Sequence, residues 1–326
     1  RTQDQTASRF NKLRLDKNER ISSFEKTFIK QLKQKVNSNM LSTYPEIENF
    51  YKKLSIKNNL PKNYFLLTFG IDHALKIVIE AFTNQRDKVL ILNPTFAMIN
   101  IYCKLYNLST NKINYDKNLN LDVKKLKKSI SSKIKLIIFS NPNSPTGTIL
   151  KKDDLLSIFK KAKKLKIPVV IDEAYYGFYK VTYLKLIKKF NNIIILRTFS
   201  KNFGLAGLRL GFISSGPKLI NYLRKFKPMY ETNNFALTAA SILLDNKHIE
   251  KKYVQETEKS KIYFTKILKG KKIKFFKSHA NFILFEVKKN KNKITNFFNK
   301  KNILISLHSP FKNYIRVTLG PISTMK

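Results

Sequence analysis

The feature that most constrains this chain is a succession of short apolar runs, each ending in a polar or turn residue and each followed by a stretch with helical periodicity. The runs cover residues 65–69, 88–92, 135–140, 167–171, 193–197 and 210–214, and the helical stretches between them include 72–82, 97–106 and 151–166. They read as strands joined by helices, a βαβ series. The chain is therefore expected to be α/β, with a doubly wound, mostly parallel sheet. From Pro217 the pattern changes. Helix is predicted past Leu244 and again over 249–268, and the last strands, 281–287 and 314–319, are shorter and more widely spaced. The 326 residues exceed what one core usually serves. We expect a large domain over 41–225 and a smaller α+β domain built from 1–40 with 226–326. The chain starts at Arg1 and stops seven residues after Leu319, where a closing helix is expected, so it reads as an excerpt with a truncated C-terminus.

A net charge of +43 invites a nucleic-acid reading. Composition points elsewhere: only 9 of the 64 basic residues are Arg, and the lysines are spread over the whole length beside an excess of Asn and Ile. Lys, Asn and Ile share AT-rich codons, whereas readers of phosphate and bases concentrate Arg and interleave aromatics. A nucleic-acid partner is not expected, although such a surface can attract anionic substrates. No apolar run approaches the ~18 residues of a membrane span, and the opening residues lack a signal-peptide core. Cys103 stands alone and cannot form an internal disulfide, which fits a cytoplasmic protein. Cys103, His248, His279 and His308 show no metal-ligand spacing, so no metal is expected.

Doubly wound sheets bind ligands beyond the carboxyl ends of their strands, so the residues just after each run matter most. Gly70, Ile71 and Asp72 open a helix whose free N–H groups suit a phosphate, although alone they read equally as a plain helix cap. Phe96, after Asn93-Pro94-Thr95, puts an aromatic at the mouth of the sheet or in the core. The loop from Asn141 to Gly147, with two X-Pro turns, is a rigid irregular turn that contains Ser144. Asp172 follows the apolar 167–171 run, where a buried charge is costly unless a cation pairs with it.

The stretch from Thr198 to Gly211 is poor in lysine apart from Lys201, which sits among hydroxyls and small residues, and one of the nine arginines, Arg209, follows eight positions later. A lysine so placed can lose its proton and attack a carbonyl to form a Schiff base. Thr198, Ser200 and Arg209 offer donors for a phosphate. Together these groups ask for a ligand with a phosphate, an aldehyde, a cationic ring nitrogen and a flat face. Pyridoxal 5′-phosphate has all four.

These motifs resemble the fold-type I, class I/II aminotransferases, and within them the histidinol-phosphate aminotransferases. The likeness runs in family order through 15–19, Tyr44-Pro45, 70–72, 94–96, the 142–147 loop, 172–175, 197–211, 280–282 and 315–320. It implies that Lys201 holds the cofactor covalently and shuttles a proton, that Asp172 pairs with the ring nitrogen, and that Tyr175 and Ser144 lie at the ring's phenolic oxygen. Phe96 would stack on the ring, while Thr198, Ser200, Arg209 and the backbone at Ile71 and Asp72 hold the phosphate. Tyr44 would reach that phosphate from the neighbouring subunit of a homodimer. Arg316 would clamp the anionic group of the amino donor, with Asn18 also at the substrate.

Four departures from the family pattern stand out. Ser144 replaces an Asn, His73 a common Glu, and Ser306 an Arg expected to help bind the substrate; residues 227–233 also differ from the usual stretch. The implied activity is transfer of an amino group from a donor such as glutamate to a keto or phosphorylated acceptor. A decarboxylase of an amino-acid phosphate, of the threonine-phosphate kind, would use the same cofactor residues, as would a transaminase for another phosphorylated or phosphonate amine. A regulatory protein without catalysis would be expected to have lost the lysine or the aspartate.

Overall fold

The computed structural model describes residues 8–287, 291–307, 311 and 313–326; His308 lies outside them. Strand β1 (Leu13–Leu15) leads through helices α1 (Lys26–Lys35), α2 (Ser38–Ser42) and α3 (Glu48–Asn58) to β2 (Phe65–Thr68) and α4 (Gly70–Phe82). Then come β3 (Lys88–Asn93), α5 (Ala97–Leu105), β4 (Ser109–Asn114), α6 (Val123–Lys128), β5 (Ile134–Ser140) and α7 (Lys152–Lys164). Strands β6 (Val169–Asp172), β7 (Ile193–Thr198) and β8 (Gly211–Ser214) complete the large sheet. The remainder is α8 (Pro217–Arg224), α9 (Asn234–Asp245), α10 (Lys247–Gly270), β9 (Phe282–Glu286), α11 (Lys291–Lys300), β10 (Ile303–Ile305), β11 (Tyr314–Thr318) and α12 (Ile322–Met325).

Seven strands form one sheet in the order β2-β8-β7-β6-β5-β3-β4. The β4-β3-β5-β6-β7 run is parallel, and β8 lies antiparallel to both of its neighbours. Successive side chains along a strand point to opposite faces, and the apolar runs obey this. Phe65, Leu90, Ile137, Val169 and Ile193 join one apolar cluster, with Leu155, Ile158 and Phe159 of α7. Leu66, Val89, Leu136, Val170 and Ile194 join another, with Ala74, Leu75 and Val78 of α4. Helices thus cover both faces, as the doubly wound α/β reading expects. The consequence for function is geometric: Asn93, Ser140, Asp172 and Thr198 all end their strands on the same edge.

Three features differ from the sequence reading. Strand β4 was not expected, because its sequence, Ser-Thr-Asn-Lys-Ile-Asn, is polar; it sits at the sheet edge, where one side meets solvent and apolar residues are not required. The helix expected from Pro217 past Leu244 stops at Arg224 and restarts at Asn234. Pro228 lies in the gap and has no N–H to continue a helix, and Asn233 caps the restart by accepting the Ala236 N–H at 2.8 Å. Of the late strands, β9 and β11 pair antiparallel as a short ribbon, while β1 pairs parallel with β10, a contact across the whole chain that periodicity does not reveal.

Phe28 of α1 and Ala236, Leu237, Ala239 and Ala240 of α9 share the apolar cluster that holds one face of the sheet. Segments on both sides of the expected boundaries at 40 and 225 are therefore packed on one core. Close approach matters at one more point. A Cβ on Gly211 would lie 2.7 Å from the Arg197 carbonyl oxygen and 3.0 Å from Gly70 Cα, so β8 lies directly against the start of α4. Among the described residues no helix is long and apolar enough to cross a membrane.

Candidate active site

Strand β6 ends in Asp172, whose side chain is 3% exposed. Its carboxylate accepts hydrogen bonds from the Ala174 N–H at 2.8 Å and from Ser140 Oγ at 3.2 Å, the latter across the strand register. Burial pushes its pKa up to about 7; these two bonds pull the other way, nearby Asp72 adds to the rise and Lys201 opposes it. Among the described residues no Lys or Arg forms an ion pair with Asp172. Glu173 shows the contrast. Arg197, at the end of β7, donates from Nε and Nη2 to Glu173 Oε2 at 3.0 and 2.9 Å, and Thr182 and the Tyr183 N–H complete the carboxylate's shell. Sequence reasoning did not find this buried pair. The available signal was a rare Arg and a Glu at the ends of adjacent strands.

The β7 strand hands over at Thr198 to the turn that carries Lys201. Lys201 Nζ donates to the Lys17 carbonyl at 3.0 Å. Burial, with Arg316 and Arg209 nearby, brings its pKa down to about 8, against the pull of Glu19 and Asp72. Its amine is therefore far readier to be neutral than an exposed lysine. Thr198 Oγ1 donates to Ser200 Oγ at 2.9 Å and accepts the Ser200 N–H at 3.0 Å, so the two hydroxyls are held side by side.

Beside them α4 begins at Gly70 with φ +80°, and a Cβ there would lie 2.9 Å from Arg209 Nη2. The left-handed φ favours glycine here, and a side chain would also displace the guanidinium. Arg209 itself is left-handed, φ +51°, and lies 3.6 Å from the Asp72 carboxylate. Ile71 and Asp72 occupy the first turn of α4, whose free N–H groups carry the positive end of the helix dipole. His73, at one departure from the family pattern, accepts the Phe69 N–H on Nδ1 at 3.3 Å and so closes the turn before the helix. Thr198 pairs with Gly211, which lies against Gly70 below Arg209, so Thr198, Ser200, Arg209, Ile71 and Asp72 gather around one helix start.

Tyr175 is buried, and its hydroxyl accepts from Asn18 Nδ2 at 2.8 Å. Burial raises the phenol pKa, while Arg316, the Asn18 hydrogen bond and nearby Ser144 oppose the rise. Phe96, half-buried, packs together with Ala174 against the apolar cluster on the α4 face. Arg316, on β11, donates from Nη2 to the Asp16 carbonyl at 2.7 Å and lies 5.3 Å from the centre of the Phe282 ring. Ser306, buried, is bridged to Arg316 through their backbones. Tyr44 is the exception to this convergence. It is 71% exposed and stacks on Tyr230 with ring centres 4.1 Å apart.

The profile of the family described as aminotransferase class I and II matches residues 16–326. A histidinol-phosphate aminotransferase of Clostridium novyi (strain NT) is 30% identical over 315 residues, 95% of this chain and 87% of that one. The solved structure of histidinol-phosphate aminotransferase from Sinorhizobium meliloti in complex with pyridoxal-5′-phosphate superimposes with a TM-score of 0.86 at 18% identity, covering 96% of this chain and 88% of the other. An L-threonine-O-3-phosphate decarboxylase from Porphyromonas gingivalis gives a TM-score of 0.82 at 21% identity, covering 96% and 95%. At these identities the likeness to the two solved structures is one of fold.

The Asp172 environment has a consequence for the ligand-free protein. Its folded-state pKa is raised from 3.8 to about 7, so between those values the folded chain binds more protons than the unfolded one and loses stability as pH rises. Asp172→Asn removes that contribution. Relative to the unaltered protein, the variant should gain stability from pH 4 to pH 7, by up to about 1.4 kcal/mol per unit. Thermal melts of the two proteins across that range check it. Curves that stay parallel contradict the buried, unpaired carboxylate.

Proposed function

The chain belongs to the class I and II aminotransferases, and from that premise we propose that it transfers the amino group of a donor such as glutamate to a keto or phosphorylated acceptor, with histidinol phosphate as the amine whose transamination it serves. The observation that carries the reading is the convergence at one end of the parallel strands of a buried carboxylate that forms no ion pair among the described residues, a lysine brought toward neutrality, and a helix start capped by Arg209. Pyridoxal 5′-phosphate carries a partner for each: a cationic ring nitrogen, an aldehyde and a phosphate. The residues present therefore fit this cofactor.

When bound, pyridoxal 5′-phosphate supplies an electron sink that allows the substrate's α-carbon to give up a proton. The chain does the rest. Asp172 keeps a proton on the ring nitrogen, which it can do because burial concentrates its charge on one partner. Lys201 would hold the cofactor through its Nζ and would be the group that moves the proton at the substrate carbon. Tyr175 and Ser144 would hold the ring oxygen, and Phe96 would cover the ring. Thr198, Ser200, Arg209 and the Ile71 and Asp72 N–H groups hold the phosphate. Arg316 binds the substrate's anionic group as a two-pronged donor, with Asn18 at the same side of the site.

In this reading residues 41–225 form the large unit and 1–40 with 226–326 the smaller one, whose α1 and α9 pack on the large unit's core, and Arg316 and Asn18 come to the site from a different unit than Lys201 and Asp172. The lone buried Cys103 suits a reducing compartment, and we place the enzyme in the cytoplasm. Tyr44, exposed and stacked on Tyr230, is offered to a second copy of the chain, and we assign it to the phosphate of the neighbouring subunit of a homodimer.

Two experiments test this. Amino donors and phosphorylated amines are screened against the loaded enzyme by the spectral conversion of the cofactor, with keto product and CO₂ measured. Glutamate and histidinol phosphate should both convert the cofactor, and no CO₂ should form. Release of CO₂ from an amino-acid phosphate would establish a decarboxylase in its place. For the shared site, Lys201→Ala protein and Tyr44→Ala protein are mixed under subunit exchange. About a quarter of unaltered activity should return, since half the dimers are mixed and each has one intact site. Exchange without recovery contradicts Tyr44 crossing to the partner.

A further inference from the structure

Asn18 is 2% exposed and sits in left-handed backbone, φ +57°, a conformation Asn tolerates better than most residues. All of its polar groups are engaged. Its N–H donates to Thr318 Oγ1 at 3.0 Å, its side-chain oxygen shares the Thr318 hydroxyl proton, at 3.1 Å, with the Leu15 carbonyl at 2.9 Å, and its carbonyl accepts from Asn281 Nδ2 at 3.2 Å. What remains is the side-chain NH₂, which donates to the Tyr175 hydroxyl oxygen at 2.8 Å. An amide NH₂ cannot accept a hydrogen bond, so the Tyr175 proton must point elsewhere.

We propose that Asn18 is a positioning residue for Tyr175: by filling a lone pair of the phenol it turns the phenol O–H toward the cofactor's ring oxygen and so sets the proton affinity there. The inference rests on the cofactor placement given under the proposed function. It assigns the Asn18 side chain an action through Tyr175 in place of direct contact with the substrate. The role is specific to the direction of one hydrogen bond. Asn18 is fixed from three elements, β11 through Thr318, the segment before β9 through Asn281, and β6's following turn through Tyr175. Its amide is therefore held in place before any ligand arrives.

The test follows the visible absorbance of the pyridoxal 5′-phosphate-loaded protein against pH. A donor at the ring oxygen stabilises the deprotonated, more anionic form, so a weaker donor moves the midpoint of the absorbance change upward. Asn18→Gly keeps the left-handed backbone and removes the amide; it should raise the midpoint by roughly half a pH unit. Asn18→Asp puts an acceptor against the phenol, which then donates to the new carboxylate, and should raise the midpoint by about one unit or more. Tyr175→Phe should raise it as well, and adding Asn18→Gly to Tyr175→Phe should change nothing further. An unmoved midpoint in Asn18→Gly and Asn18→Asp, with Tyr175→Phe still shifted, overturns the inference and leaves the site assignment standing. An Asn18→Gly shift that persists in the Tyr175→Phe background overturns it too. If Tyr175→Phe does not move the midpoint, the placement of the cofactor at Tyr175 fails, and this inference with it.

Discussion

At the carboxyl end of β6 the chain buries the Asp172 carboxylate against Ser140 and the Ala174 N–H and, among the described residues, pairs it with no cation. Taking a carboxylate out of water costs several kcal/mol unless its charge is compensated. One residue later the same turn shows the compensated case, with Glu173 held by Arg197 through two hydrogen bonds. Two acids at one strand end thus have opposite surroundings. The paired one ties β6 to β7; the other keeps a raised proton affinity that only a cationic ligand relieves.

The second constraint is the short segment 15–18. Its four successive carbonyls each accept from a side chain that matters to the site: Leu15 from Thr318, Asp16 from Arg316, Lys17 from Lys201 and Asn18 from Asn281. A backbone without regular secondary structure beyond β1 satisfies its acceptors with the Lys201 amine and the Arg316 guanidinium. On the proposed reading, the hydrogen bonds to the Lys17 and Asp16 carbonyls keep Lys201 and Arg316 near where cofactor and substrate would meet them.

Much of this was legible in the sequence, and for a physical reason. Parallel strands buried on both faces must be continuously apolar, so β5, β6 and β7 stood out, and with them the strand-end residues Asp172, Thr198 and Lys201. The scarcity of Arg in a lysine-rich chain made Arg209 conspicuous. What stayed hidden depends on contacts that no local pattern encodes. Edge strand β4 is polar, and β1 finds β10 almost three hundred residues away. The Asn18 amide meets Tyr175 across a separation of 157 residues, and its oxygen faces Thr318, which lies 300 residues from it in the chain. The Arg197–Glu173 pair was present as two residues and absent as an interaction until the strands were laid side by side.

The central claim is that Lys201 carries the cofactor at the edge of the sheet where Asp172 and the Arg209 cup converge. The most direct measurement is borohydride reduction of the yellow, pyridoxal 5′-phosphate-loaded protein, followed by peptide mapping. Loss of the visible band and a single pyridoxyl-labelled peptide with the label on Lys201 are expected. A label on any other of the many lysines, or a Lys201→Ala protein labelled to the same extent, would contradict it.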